Sequence, residues 1–285
     1  QTYRDMAEAI LMINEEVITA EMATKLMDNA PLAEEISAIT QFIDAGNGVD
    51  KLQNVDKFFY QLSFVPQLVP RLQCIAFKLN FESKATELKV SALRVKKANR
   101  ELERAQPAFK KMLEVILAIG NFMNNGTNRG NAPGFQLASL PQLLSTKSTD
   151  NKLTLLEYIV AFFQSNKTYE DVLKLPDELG GLQLATKVNW SVLVGDLQDL
   201  RKQFTEIRAL ASTVTKSGHK LDVFVETIVP ALEGFDTTLI QEELQFREID
   251  ESYTQLATLY GCSAQSTPPE EFYATLTNFF VAFDK

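Results

Sequence analysis

The chain has 285 residues, of which 45% are hydrophobic and 23% are charged, as in globular proteins with a substantial core. Its formal net charge of −9 argues against nucleic acid as the main partner, because phosphate binding requires a basic surface. The sequence predicts no transmembrane helix, since it lacks a run of about 18 apolar residues. Two distant cysteines in helix-like contexts, Cys74 and Cys262, favour reduced thiols in the cytoplasm.

Helical periodicity dominates the first part of the chain. Residues 3–45 predict short helices, a turn is expected at 46–48, and a further helix carries Val55, Phe58, Phe59 and Leu62 on its apolar face. A long helix is expected to open at Pro66 or Pro70 and to run to about Arg104. Pro107 is then expected to start a separate helix.

The segment from Gly120 to Val160 interrupts this pattern. Three glycines and a proline lie between Gly126 and Gly134, and asparagine is dense in the same region. We interpret the segment as a tight corner or a docking surface. In the second case, its backbone would lie close to an incoming segment and its polar groups would be free to bond it.

Helices are also predicted through the second half. Thr149 or Asp150 is expected to cap a helix that ends near Phe163. A heptad seam follows, and it consists of Leu193, Leu197, Leu200, Phe204, Ile207, Ala211 and Val214. After a break at Ser217-Gly218, a second long helix at about 220–260, kinked near Pro230, would complete an antiparallel hairpin. A last helix starts at Pro268-Pro269, and its apolar face is expected to carry Phe272, Leu276, Phe279, Phe280 and Phe283. The predicted fold is all-α.

No motif for catalysis, metal binding or cofactor binding is recognisable. His219 is the only histidine, and zinc would need cysteine or carboxylate ligands near it. The glycine-rich segment lacks Gly-Lys-Ser/Thr and follows a helix rather than a strand, so it is neither a phosphate-binding loop nor a dinucleotide fingerprint. We therefore expect no enzyme, no metal and no cofactor.

One basic stretch contrasts with the acidic chain. From Lys84 to Lys111 there are nine Lys or Arg residues and three Glu, a local net charge of +6. Such a stretch is usually a solvated helix face. It could also meet an acidic protein or an anionic membrane.

An ordered set of short motifs resembles the formin homology 2 family. It begins with Gly-Asn-Phe-Met-Asn at 120–124 and Gly-Asn-Ala-Pro-Gly-Phe at 130–135, and continues with Thr-Lys-Ser at 146–148 and Leu-Leu at 155–156. Pro-Asp-Glu-Leu at 176–179 and Glu-Glu-Phe-Tyr at 270–273 agree with it, so the resemblance covers essentially residues 1–285.

The resemblance implies an elongated helical arch with knob, coiled-coil and post subdomains. Residues 1–65 would form the knob, 66–105 and 186–260 the long coiled-coil helices, and 106–185 with 261–285 the post. Two such arches form a ring when an N-terminal lasso of each wraps the post of the other. The ring nucleates actin filaments and stays on the growing barbed end in the cytoplasmic actin cytoskeleton.

Site residues follow from the same resemblance. The post surface that receives the lasso would include Gly120, Asn121, Phe122, Asn124, Gly126, Gly134 and Phe135. Lys147 matches a basic residue that contacts actin, and the other candidate actin contacts are Arg129, Lys96, Lys97 and Arg100. A lasso, a linker and a first knob helix would precede Tyr3, so we expect this piece to be monomeric with weak nucleation. Profilin would act only through a proline-rich region outside the chain.

Two other interpretations remain open at the level of sequence. One is a helical coiled-coil scaffold that binds another protein without any role in actin assembly. The other is a membrane-apposed helical adaptor that uses the basic stretch.

Overall fold

A computed structural model describes residues 2–285, most of which are helical. Within that range no strand forms, and the one isolated β-bridge joins Lys147 and Thr154. No helix in the same range has the length and apolar character needed to cross a membrane. The α-helices are α1 (Tyr3–Leu11), α2 (Ala20–Asp28), α3 (Ala33–Asp44), α4 (Asn54–Leu62), α5 (Leu68–Met123), α6 (Gln142–Ser145), α7 (Leu155–Ser165), α8 (Glu170–Leu173), α9 (Leu175–Glu178), α10 (Leu182–Ala185), α11 (Trp190–Thr213), α12 (Phe224–Leu259) and α13 (Pro269–Phe283).

The chain divides into two compact units. The first contains the residues up to Glu87 together with Leu197–Glu242, and the second contains Leu88–Asp196 and Glu243–Lys285. The all-α prediction is confirmed. The predicted boundaries of knob, coiled coil and post stay predictions.

Aromatic side chains from three helices build the core of the first unit. Phe81 of α5 stacks on Phe235 of α12 with ring centroids 3.9 Å apart. Phe77 contacts both Phe235 and Phe204 of α11. All four rings are buried, so this cluster contributes to the unit's hydrophobic stabilisation.

A buried ion pair joins α5 to the α11–α12 connection in the first unit. Arg71 donates from both terminal nitrogens to the carboxylate of Asp222, at 2.8 and 2.7 Å, and both side chains are fully buried. Arg71 also donates to the carbonyls of Pro66 and Thr215, while Asp222 accepts from the backbone N–H of Ser217 and Phe224. Burial raises the pKa of Asp222, but the hydrogen bonds from Arg71 and Ser217 outweigh it and hold that pKa well below its usual range.

The second unit is organised around α13. Its buried side chains include Phe272, Leu276, Phe279, Phe280 and Phe283, as the predicted apolar face required. In the same unit Trp190 opens α11, stacks on Phe246 with centroids 5.2 Å apart, and donates from Nε1 to Asp250. Trp190 is 6% exposed, so it is a core anchor of this unit.

The predicted heptad seam lies on α11 and on the residue after it. Six of its seven members are buried, and Ile207 is half-buried. The regular 4, 3, 4, 3 spacing therefore identified the packed face of this helix correctly.

Three predicted helix boundaries are wrong. The break at Pro107 does not occur, because α5 continues through it to Met123. Pro107 removes one backbone donor on an exposed face, while buried Leu102, Ala105 and Phe109 keep the helix packed on both sides. Thr154, rather than Thr149 or Asp150, caps α7, and it forms a capping box with Glu157. The second long helix begins at Phe224 rather than near Lys220.

We predict that Asp222→Asn lowers the free energy of unfolding of the first unit by about 3–5 kcal/mol, because Arg71 keeps a buried charge without a counter-ion. Urea denaturation at neutral pH measures this change. Glu21→Gln, in the exposed Glu21–Lys25 pair, is the control and should change little.

The same pair predicts a dependence on pH. The pKa of Asp222 is lower in the folded chain than the value of about 3.9 in an unfolded chain. The contribution of Asp222 to the free energy of unfolding is therefore complete above its pKa in the unfolded chain, and it is lost as pH falls through its pKa in the folded chain. The difference in free energy of unfolding between the wild type and Asp222→Asn should therefore shrink as pH falls through this range. A difference that stayed constant would contradict the assignment.

Candidate docking site at the end of the long helix

The last turn of α5 contains the first signature residues, Gly120 to Met123. Asn121 extends from this turn and pairs its side-chain amide with the backbone of Ala132. Its Nδ2 donates to the Ala132 carbonyl at 3.0 Å, and its Oδ1 accepts from the Ala132 N–H at 2.7 Å. Two hydrogen bonds across eleven residues fix where the loop returns to the helix.

The loop between Asn121 and Ala132 is stabilised by hydrogen bonds among its own polar groups. Asn124 donates from Nδ2 to the carbonyl of Gly120, and its own carbonyl accepts from the N–H and hydroxyl of Thr127. Gly130 packs so closely that a Cβ atom there would lie 2.7 Å from the Asn124 carbonyl oxygen. Gly126 has φ +77°, a conformation that favours glycine.

These contacts correct one expectation from the sequence. The hypothesis that the asparagines are free to bond an incoming segment is wrong for Asn121 and Asn124, because both side chains bond within the loop. Their role in this structure is to shape the loop.

An open groove of about 310 Å³ lies beside the returning loop, within the second unit. Its lining comes from α5, from the loop with the turn after it, and from the end of α12. The apolar members are Leu113, Leu117, Phe135, Leu137, Leu259 and Tyr260, with Lys110, Glu114, Gly134 and Gly261 completing the lining. The groove is therefore apolar along its walls, with one cationic and one anionic side chain.

Tyr260 places a polar atom in this apolar surrounding. Its ring packs against Phe109 and Phe272, and burial raises the pKa of its hydroxyl to about 12. Among residues 2–285 this buried hydroxyl has no hydrogen-bond partner. An unpaired buried hydroxyl is costly, but this oxygen is shielded from solvent, so it is not part of the open surface of the groove.

Lys147 lies between the loop and α7, in the isolated β-bridge. The bridge pairs it with Thr154, and Ser148 and Leu155 donate to the carbonyls of Leu153 and Thr146 around it. Its side chain is exposed, and no ion pair forms on it in the described part of the chain. Hydrogen bonds from Thr154, and then the nearby charge of Lys147, lower the pKa of the Glu157 carboxyl.

The predicted site residues fall into separate groups. The structure brings Gly134 and Phe135 together in the groove, and Asn121 and Asn124 inside the loop. Phe122 is 82% exposed and Gly126 lies at the exposed tip, so neither lines the groove. Gly120 supplies a carbonyl to Asn124. Arg129 is an exposed loop residue, and only its backbone N–H is bonded, to Thr127.

The three basic candidates on α5 differ in their environment. Lys96 is half-buried and pairs with Glu248 at 3.3 Å. Lys97 pairs more loosely with Glu101, at 3.6 Å. Arg100 is exposed and forms no ion pair with any residue from 2 to 285. Of the three, Arg100 is the one whose charge is most available to a partner.

Sequence reasoning missed most of the groove. Leu113, Leu117, Leu259 and Tyr260 were not among the residues predicted for the post surface. Hydrophobic spacing identifies such residues as buried, but it cannot show that two helix ends more than a hundred residues apart meet. Phe135 and Gly134 were identified through the family motif alone.

The structure is all-helical with an open apolar groove, and no cluster of potential metal ligands occurs within residues 2–285. Residues 1–284 match the family model of the Formin Homology 2 Domain. The chain therefore belongs to the formin homology 2 family.

Known proteins match this chain over nearly its whole length. Formin-A of Dictyostelium discoideum is 31% identical over 291 residues, covering 100% of this chain and 23% of that protein. Protein diaphanous homolog 2 of Homo sapiens is 28% identical over 281 residues, covering 99% of this chain and 25% of that protein. Disheveled-associated activator of morphogenesis 2 of Mus musculus is 30% identical over 285 residues, covering 98% of this chain and 25% of that protein. The chain spans about a quarter of the length of these curated relatives.

We predict that Asn121→Asp destabilises the loop, because it replaces the Nδ2 donor with an acceptor that faces the Ala132 carbonyl. The expected cost is about 1–3 kcal/mol. Faster hydrogen exchange of the Ala132 amide, measured by NMR, reports it. Asn128→Asp is the matched control, since the exposed Asn128 side chain makes no hydrogen bond among residues 2–285. Equal exchange in the two variants would refute the role of Asn121.

Proposed function

We propose that this chain is an actin-assembly module. Joined with a second formin homology 2 subunit, it nucleates filaments and stays on the barbed end while actin subunits add. The family match over residues 1–284 supports this proposal. The structural observation that carries it is the groove, because the family motif residues Gly134 and Phe135 lie on an open apolar surface instead of in the core.

The groove is proposed as the receiving site for the lasso of the second subunit. Its walls suit an apolar or aromatic side chain, which gains from leaving water. The loop behind the groove is fixed by the Asn121–Ala132 pair, so the loop would lose little conformational entropy when a segment docks.

Actin is proposed to contact the basic side chains. Lys147 is the main candidate, because the bridge fixes its backbone while its charge stays exposed. Arg129 and Arg100 are exposed as well, whereas Lys96 and Lys97 already have acidic neighbours. Since the surface of actin is acidic, these charges would steer association and make it sensitive to salt.

We place the module in the cytoplasm, on the actin cytoskeleton. Profilin would act indirectly, through a proline-rich region that is not part of this chain. We assign no catalytic step to the chain in this function.

We predict that Lys147→Ala, in the dimeric protein that includes its lasso, weakens barbed-end binding about tenfold without loss of fold, as expected when a hydrogen-bonded charge is removed from an interface. Single-filament fluorescence microscopy measures dwell time and elongation rate. Lys152→Ala is the control, because Lys152 is an exposed neighbour that pairs with Asp150. Unchanged dwell time in Lys147→Ala would exclude a direct actin contact.

We predict that Leu259→Gln weakens dimerisation about tenfold, because the proposed lasso then loses an apolar contact. Leu259 lines the groove and is 54% exposed, so the fold should tolerate the change. Val192→Gln, at an apolar residue of the same unit that is 58% exposed and away from the groove, is the matched control. Sedimentation of both variants of the lasso-bearing protein gives the dimer affinities. An equal effect of the two changes would contradict docking in the groove.

A further inference from the structure

The sequence contains two Asn-Gly pairs, Asn47-Gly48 and Asn125-Gly126. This dipeptide is the one in which an asparagine side chain is most easily attacked by the next backbone nitrogen, because glycine has no side chain to hinder the approach. Whether the reaction occurs in a folded protein depends on whether the two reacting groups are free. The two pairs differ in this respect.

Asn125-Gly126 has both reacting groups free. Asn125 and Gly126 are exposed, just beyond the end of α5. Within residues 2–285, nothing bonds to the side-chain amide of Asn125, and nothing accepts from the Gly126 N–H. The neighbouring Asn121 and Asn124, in contrast, use their side chains inside the loop.

Asn47-Gly48 provides an internal comparison. Gly48 is exposed, but the Asn47 side chain donates from Nδ2 to the carbonyl of Phe42 at 3.0 Å. This hydrogen bond must break before the side chain can turn toward the Gly48 nitrogen. The pair at 47–48 is therefore restrained, although its chemistry is the same.

We propose that Asn125 is a site of spontaneous deamidation. The deprotonated backbone nitrogen of Gly126 attacks the side-chain carbon Cγ of Asn125, and a five-membered succinimide forms as ammonia leaves. Water then adds to either ring carbonyl, and the ring opens to aspartate or isoaspartate. The balance is one water consumed and one ammonia released, and no oxidant or enzyme is required.

The product changes the loop that borders the groove. Both products add a negative charge to a loop that carries Arg129. Isoaspartate also inserts a methylene into the main chain between Asn124 and Thr127, whose backbone hydrogen bond closes this turn at 3.0 Å. The turn cannot keep that geometry with a longer backbone. The close packing of Gly130 on the Asn124 carbonyl should therefore be lost.

The test is to age the folded protein at mildly alkaline pH and to measure both sites by peptide mapping, with isoaspartate detected by enzymatic methylation. Asn125 should convert about fivefold faster than Asn47, the factor expected from the hydrogen bond that Asn47 must break. In a urea-unfolded sample the two rates should become similar. Asn125→Gln should abolish the signal at 125 and leave that at 47 unchanged.

A second readout connects the modification to the loop. Hydrogen exchange at Ala132 should accelerate in the aged wild-type protein and stay unchanged in aged Asn125→Gln. Equal rates at the two asparagines in the folded protein would overturn the proposal. Protection of Asn125 in the folded chain relative to the unfolded chain would overturn it as well.

Discussion

The candidate site depends on one pairing, between the side-chain amide of Asn121 and the backbone of Ala132. It fixes the loop on the last turn of α5, so the residues that follow Ala132 leave in a defined direction. Gly134 and Phe135 then line the groove beside Leu113 and Leu117. Glycine at 130 is required by the same geometry, because any side chain there would meet the Asn124 carbonyl.

The sequence predicts the helices well and their meeting points poorly. Apolar spacing identified the packed face of α11, and the aromatic residues of α13 are buried as expected. Pro107 was misleading, because its effect is local while the packing of Leu102 and Phe109 on either side is tertiary. Most of the groove lining was not predicted, for the same reason. It needs Leu117 and Tyr260 to be adjacent, and no local pattern contains that information.

Charge acts in two ways in this protein. In the first unit, Arg71 and Asp222 are buried and bond each other, so the pair joins elements and is unavailable to partners. Lys147 and Arg100 are exposed without an ion pair among residues 2–285, and their charge remains available for steering. The net basic stretch on α5 is thus a mixture of paired and available side chains. Composition alone does not separate the two kinds.

We propose that the groove receives a segment of a second subunit while Lys147 faces actin. The most direct measurement is a cryo-electron microscopy structure of the dimeric protein on a filament barbed end. We expect an apolar side chain of the second subunit between Leu117 and Leu259, and an actin carboxylate within ion-pair distance of Lys147. An empty groove together with a solvent-facing Lys147 would contradict it.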